Sequence, residues 1–256
     1  MASKNPTAAF QISVLFERMV LYYKFIRCLK IMRPITFILI GVLTIGSCTS
    51  NTQKKIKPNY KFDTLLSPKD STAFYFKSKP HWQDTTNNAL DTFANSWFSQ
   101  MLFALKEPIL KDYKGDKEIY RFTWLRTFNH PVVIRLEKQR NIIVLFSKVS
   151  DGAGGYEPGK IIFDTTINLT QKQVDTINLK LDNAEFWAFP SVSLDDTGSD
   201  GSEWIIEVFK NNKYHMAVRW TPVKGTAFRA IGEYLISISK IKGEIGVIDR
   251  RSDGDY

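Results

Sequence analysis

The sequence predicts an α+β domain, an antiparallel β-sheet with a few helices packed on one face. Tyr120–Thr127, Val132–Lys138 and Asn141–Val149 follow one another through short connections and are rich in β-branched and aromatic residues, the mark of consecutive antiparallel strands. Apolar residues at three- and four-residue steps recur in only three stretches, near 91–107, 170–181 and 227–238. Strands are grouped instead of alternating with helices, which argues against a parallel doubly wound sheet.

Composition sets the outer bounds. The chain has 256 residues, 43% hydrophobic and 13% aromatic, enough for an ordinary core. Its net charge of +9 is uneven, because residues 1–48 hold six Lys or Arg and one Glu. The remainder carries 29 basic and 25 acidic residues with no dense basic stripe, so a nucleic-acid partner is not expected. Both cysteines, Cys28 and Cys48, lie in the N-terminal segment. Residues 49–256 therefore offer no thiol for catalysis, zinc or a disulfide, and no cofactor is expected.

Residues 1–48 read as an N-terminal extension and signal segment. Ile35–Ser47 is an apolar run that follows Met32-Arg33-Pro34. It is much shorter than the ~20 residues of a spanning helix and has the proportions of a signal-peptide apolar region. Its end, Ile45-Gly46-Ser47-Cys48, resembles the lipobox of bacterial lipoproteins: an aliphatic residue, two small residues, then cysteine. That resemblance implies cleavage before Cys48, acylation of its thiol and a membrane anchor at the cell envelope, on the outer-membrane or periplasmic side. The apolar stretch Met19–Ile26 precedes this signal, and a natural start at Met19 or Met32 would shorten the leader. Residues 49–59 are polar and form a tether.

Residues 60–242 make one domain, followed by a polar tail over 243–256. Ser71–Lys77 reads as a strand, and His81-Trp82 follows a proline. Asp91–Glu107 is a helix capped by Asp91 and stopped by Pro108, with Leu90, Phe93, Trp97, Met101, Ala104 and Leu105 as its apolar stripe. In the second strand Val132, Ile134 and Leu136 alternate with Arg135 and Glu137, so the second face is wet or carries paired charges. Asp151–Gly159 (DGAGGYEPG) is a glycine-rich loop leading to a strand at Lys160–Leu169. Thr170 caps a helix reaching Leu181 with Val174, Ile177 and Leu181 inward, and Phe186-Trp187-Ala188-Phe189-Pro190 supplies a large apolar payload. Ala227–Ile238 is the last helix, with Phe228, Ile231, Tyr234, Leu235 and Ile238 on its face.

Glu203–Pro222 is predicted as a hairpin turning at Asn211-Asn212, and a two-residue turn fixes its register. Phe209 then opposes Tyr214, Glu207 opposes Met216 and Ile205 opposes Val218 on one face. Val208 opposes His215, Ile206 opposes Ala217 and Trp204 opposes Arg219 on the other. Both faces are largely apolar, which places the hairpin centrally in the sheet.

Candidate sites follow from this register. Glu207 sits among apolar neighbours, where a carboxylate must find a cation or donors or remain protonated. It is either a general acid or base, assisted by His215 or Asp200 in a hydrolase-like site, or half of an ion pair with Arg121, Arg126 or Arg135. Trp204 and Arg219 are placed to stack as a cation–π pair. The loop Leu194–Ser202 resembles a degenerate calcium loop, with Asp196, Asp200, Gly201 and Glu207 at positions one, five, six and twelve of the EF-hand spacing, but Gly198 stands where an oxygen ligand belongs and the flanks are strands. The alternative is a turn-rich loop without metal. Asp151–Gly159 invites a phosphate-cradle reading but lacks a P-loop's Lys-Ser/Thr, and the plain reading is a mobile hairpin loop. Its Asp151, Tyr156 and Glu157, with Asp200, Trp204 and Arg219, are candidate binding residues. Neither G-x-S-x-G nor H-E-x-x-H occurs, and His81, His130 and His215 are the only histidines.

The run DGAGGYEPG, then Phe186-Trp187 with Pro190 following, then DG-S-EW-I-x-E and YH-x-x-x-RW-x-P, resembles a family of bacterial secreted and lipoprotein domains with no assigned activity. The resemblance covers roughly Phe122–Ile238. It implies that the glycine-rich loop and the hairpin belong to one unit, and it supplies no catalytic residue. The expected partners are the membrane through Cys48 and a protein, peptide or glycan ligand.

Overall fold

A computed structural model describes residues 65, 68, 70–79, 88–193 and 200–241, all within Asn59–Tyr256. Cys48, the tether, His81, Asp196 and the tail after Ile241 lie outside the described residues. The elements run β1 (Lys77–Ser78), β2 (Ala89–Leu90), α1 (Thr92–Ala104), β3 (Glu118–Arg126), β4 (Val132–Gln139), β5 (Ile142–Ser150), β6 (Ile161–Asn168), α2 (Gln171–Asn183), a 3₁₀ turn (Phe186–Ala188), β7 (Ser202–Lys210), β8 (Lys213–Trp220) and α3 (Ala227–Ile238). Strands β3 to β8 form one antiparallel sheet in the order β6-β5-β4-β3-β7-β8, and the protein is α+β as its sequence predicts.

The hairpin pairs in the predicted register, from Glu203 opposite Trp220 to Phe209 opposite Tyr214. Asn211 and Asn212 both take positive φ, 52° and 57°, which a two-residue turn matched to strand twist requires. Its position needs one correction. β7 is interior, but β8 is an outer strand. Its apolar residues are tolerated there because the edge is sealed. Val218 N donates to Ser191 O at 2.8 Å, Met216 N donates to Asn88 Oδ1 at 2.7 Å, and Asn88 Nδ2 donates to Tyr214 O at 3.2 Å.

Alternation along the strands builds two main apolar clusters and a smaller third around Leu110, Tyr113, Ile119 and Phe209. Tyr120, Phe122 and Trp124 of β3 and Trp204, Ile206 and Val208 of β7 face α2 and α3, where Val174, Ile177, Leu181, Phe228, Ile231 and Leu235 cover them. Leu125, Val133, Ile205, Met216 and Val218 point the other way and meet Phe98, Met101 and Leu102 of α1. The helical layer on one face is therefore α2 and α3, while α1 covers the opposite face because that face is also apolar at its centre. Thr170 N donates to Gln173 Oε1 at 2.8 Å, and Asp91 Oδ1 accepts from Ala94 N at 2.9 Å, so both expected helix starts are capped.

The stripe predicted for α1 is displaced. Phe93 is 79% exposed, whereas Asn95 and Ser99 are buried beside Phe98, Met101 and Leu102. These two polar side chains serve the Tyr75–Phe76 backbone. Tyr75 N donates to Ser99 Oγ at 2.9 Å, Phe76 N donates to Asn95 Oδ1 at 3.3 Å, and Asn95 Nδ2 donates to Phe76 O at 2.9 Å. Buried backbone groups without a sheet partner demand such replacements. The segment read as a strand over Ser71–Lys77 is consequently strand only at Lys77–Ser78, and its preceding backbone is held by helix side chains.

Candidate functional site

On the α1 face, charged side chains of the strands are buried between the sheet and the chain that follows the helix. Arg121 of β3 stands directly opposite Glu207 of β7 and Arg135 of β4. Arg121 Nε and Nη2 reach Glu207 Oε2 at 2.6 and 2.5 Å, and Arg121 Nη1 donates to Pro108 O at 2.6 Å. Tyr214 Oη donates to the second oxygen, Glu207 Oε1, at 2.9 Å. Glu107, just beyond α1, receives Arg135 Nε at 2.7 Å and Lys148 Nζ at 2.8 Å, and Arg121 Nη1 lies 3.8 Å away. Arg135 also pairs with Glu137, which receives Lys117 Nζ at 3.1 Å. Lys148 Nζ further donates to Leu105 O and Lys106 O at 2.8 and 3.1 Å, placing a cation on carbonyls the helix end leaves unpaired.

The electrostatics follow from burial and neighbours. Burial alone would raise the Glu107 carboxyl, but Arg135, Lys148 and Arg121 together outweigh it and hold it below its ordinary value. Glu207 is pushed up by burial, against the pull of the Arg121 guanidinium and the Tyr214 hydroxyl. Burial and the Glu207 charge push the Tyr214 phenol well above its ordinary range, so it stays protonated and donates. Of the three arginines offered by the sequence, Arg121 is the partner of Glu207. The face that alternates with Val132, Ile134 and Leu136 is thus one of paired charges and is not wet.

This arrangement bears on the acid–base reading. Glu207 is 0% exposed, and every oxygen it has is occupied by Arg121 or Tyr214. A carboxylate enclosed in this way exchanges no proton with a substrate at the surface. His215 lies on the opposite face of the sheet, one register position away, so the two do not form a dyad. Asp200 is exposed before β7 begins, and the five extended steps from Ser202 to Glu207 span roughly 17 Å, too far for one calcium ion. Among the described residues no group of three or more His, Cys, Asp or Glu side chains is placed to hold a metal ion.

The remaining candidates fall at the two ends of the hairpin. Near its open end, the glycine-rich loop folds back on the end of β3. Gly154 N donates to Asn129 O at 2.9 Å, Gly155 N donates to Thr127 O at 3.1 Å, and Thr127 N donates to Gly201 O at 2.9 Å. The two glycine-containing loops therefore meet on Thr127. A Cβ at Gly154 would stand 2.6 Å from Arg126 N and O, which explains the glycine. Ala153 and Glu157 exchange backbone hydrogen bonds, and Asp151 Oδ1 accepts from Lys160 N at 2.6 Å. The N–H groups of residues 153–157 are all spent on backbone carbonyls, so the loop offers no phosphate cradle there. Tyr156, 67% exposed, lies 5.9 Å from the Phe128 ring, and Glu157 is exposed beside it.

Trp204 is fully buried against Phe122 and Trp124, with Nε1 donating to Ser202 Oγ at 2.9 Å. Trp204 and Arg219 are cross-strand neighbours but do not stack as expected. The Arg219 guanidinium lies 4.1 Å from the Phe189 ring centroid, and Arg229 of α3 is 5.4 Å from Trp204. The carbonyls of Val218 and Pro190 draw Arg219 toward the edge, at 2.6 and 2.9 Å, while Gly232 of α3 occupies the space above the indole.

At the turn end lies a concavity of about 580 Å³ lined by Asn88, Trp187, Lys210, Asn211, Lys213, Tyr214 and His215. Trp187 is 40% exposed there. His215 is held by Nε2, 2.8 Å from Phe189 O, and by an edge-on contact with Phe186 at 5.0 Å. Burial depresses its imidazole below the ordinary value, and nearby Arg219 adds to this against the Phe189 carbonyl. The neutral ring then donates from Nε2 and leaves Nδ1 as an acceptor.

No protein-family model matches the chain, and no curated protein matches it. The site must therefore be judged on its chemistry. His215 is a candidate from sequence, but nothing there joins it to Tyr214, seen only as the partner of Phe209, or to Trp187, read only as apolar payload. The available signal was the pair of lysines flanking the Asn-Asn turn.

Proposed function

We propose that this chain is a membrane-anchored lipoprotein of the bacterial cell envelope whose α+β domain is a binding module. The observation that carries the proposal is Ile45-Gly46-Ser47-Cys48 at the end of the apolar run that begins at Ile35, behind a basic flank. Acylation of Cys48 would hold the polar tether and the domain at the membrane surface, on the outer-membrane or periplasmic side. No helix among the described residues is long and apolar enough to cross a membrane, so attachment rests on the lipid in this reading. The domain supports a binding role through its surface. Trp187, Tyr156 and Phe128 are large aromatic side chains left substantially exposed, and Trp187 and Tyr156 stand beside polar groups that fix orientation. The carboxylates Glu107, Glu137 and Glu207 are committed to buried ion pairs with Arg135, Lys117 and Arg121. The natural ligand class is a protein, peptide or glycan.

Metabolic labelling with a radioactive fatty acid tests the anchor. The wild-type chain takes up label, Cys48→Ala does not, and globomycin causes an unprocessed precursor to accumulate. Equal labelling of wild type and Cys48→Ala would remove the basis for the proposal.

A further inference from the structure

The concavity at the turn of the hairpin offers three kinds of contact together. Trp187 presents a partly exposed indole face, 6.3 Å from the His215 ring and tilted 39° to it. The His215 ring is fixed through Nε2, so its free acceptor calls for a hydroxyl or amide donor on the ligand. Lys213 is exposed and makes no ion pair among the described residues. Lys210 is partly engaged, with Nζ 2.8 Å from Asn178 Oδ1 and 4.0 Å from Glu118. A ligand that matches has a flat apolar face, hydroxyl donors and a negative charge.

We propose that this concavity binds hexuronic-acid residues of an acidic polysaccharide. The C–H face of the pyranose lies on Trp187, a hydroxyl donates to His215 Nδ1, and the carboxylate pairs with Lys213, with Lys210 adding to the field. An acidic peptide shares the charge but fits less well. An extended peptide gains affinity by adding to a sheet edge, and the neighbouring β8 edge is already occupied by Asn88 and Ser191. The volume of about 580 Å³ falls in the usual range for small-ligand sites and admits more than one sugar ring. This inference rests on the binding-module reading and names its ligand.

Calorimetric titration of the full chain in detergent with tri-galacturonate tests it. Saturable binding is expected, with none for neutral maltotriose. Trp187→Ala should weaken binding about fivefold to tenfold, and Lys213→Glu about fivefold. Lys213 is exposed, so Lys213→Glu reports on the site even where Trp187→Ala disturbs folding. Absence of binding to tri-galacturonate, equal binding of its methyl ester, or indifference to both substitutions would overturn the assignment. Binding of a poly-glutamate peptide in place of the uronide, lost in Lys213→Glu, would overturn it in favour of a peptide. The state of Cys48 is read separately by fatty-acid labelling, so failure of the sugar does not bear on the anchor.

Discussion

Glu207 shows how a residue with the composition of a catalytic acid becomes part of the frame. Its carboxylate accepts from Arg121 Nε and Tyr214 Oη and forms a close ion pair with Arg121 Nη2, all buried. Removing one partner of such a pair strands the other charge in a poor solvent, whereas removing both does not. Glu207→Gln should therefore cost about 3–5 kcal/mol in urea unfolding, and the double variant Arg121→Met/Glu207→Met should recover most of that loss. A Glu207→Gln protein as stable as wild type would contradict the pairing. The pH response has two opposing parts. Glu107 has a depressed native pKa, so its contribution is fully present above the ordinary value of 4.5 and is lost as pH falls through the native value. Glu207 has a raised native pKa, so it binds its proton more tightly in the native state and its contribution is lost as pH rises from 4.5 through the native value. Urea midpoints measured against pH should show an acid limb below about 4.5 that is flattened in Glu107→Gln. The hairpin register made the environment of Glu207 legible from sequence. The choice of Arg121 was not, because it depends on β3 pairing with β7, 86 residues away.

At the scale of elements, polar residues decide which side of α1 is buried. Apolar spacing pointed to Phe93, but Asn95 and Ser99 replace sheet hydrogen bonds for Tyr75 and Phe76. Asn95→Leu adds apolar surface yet should destabilise by about 1–3 kcal/mol, because it leaves the buried Phe76 N unpaired and removes one of the two donors, Asn95 and Lys111, on Phe76 O. Phe93→Ser should fall within about 0.5 kcal/mol of wild type in thermal unfolding. Gly232 poses a similar contest between local and tertiary effects. Replacing a helical glycine with alanine ordinarily gains about 1 kcal/mol. Here the new Cβ would lie 2.5 Å from the Trp204 ring and 2.9 Å from Phe122, and overpacking typically costs about 1–3 kcal/mol. Gly232→Ala should therefore lower the melting temperature, and a rise would show that α3 has room to move. The face of α2 and most of that of α3 were readable because their buried residues are apolar, Arg229 and Gly232 of α3 excepted. The face of α1 was not, since apolar periodicity carries no signal for backbone groups that need a partner.

For the molecule as a whole, the sheet divides two kinds of packing. One face is an aromatic and aliphatic core under α2 and α3, and the other adds a charged network that ties the end of α1 to β3, β4, β5 and β7. Strand order and the second helical layer were beyond the sequence, because both depend on contacts far apart in the chain. The class and the hairpin register were within it, because alternation and turn chemistry are local. The candidate binding surface lies at the hairpin's ends, and at the turn end Tyr214 both lines the concavity and donates to Glu207 of the charged network. The proposed acylation of Cys48 would hold this domain at the envelope. The most direct measurement is the intact mass of the chain purified from bacterial membranes. A mature protein beginning at Cys48 and carrying the added mass of a diacylglyceryl group, with or without an N-acyl chain, is expected. An unmodified Cys48 in the mature protein, or a chain that retains residues before it, would contradict it.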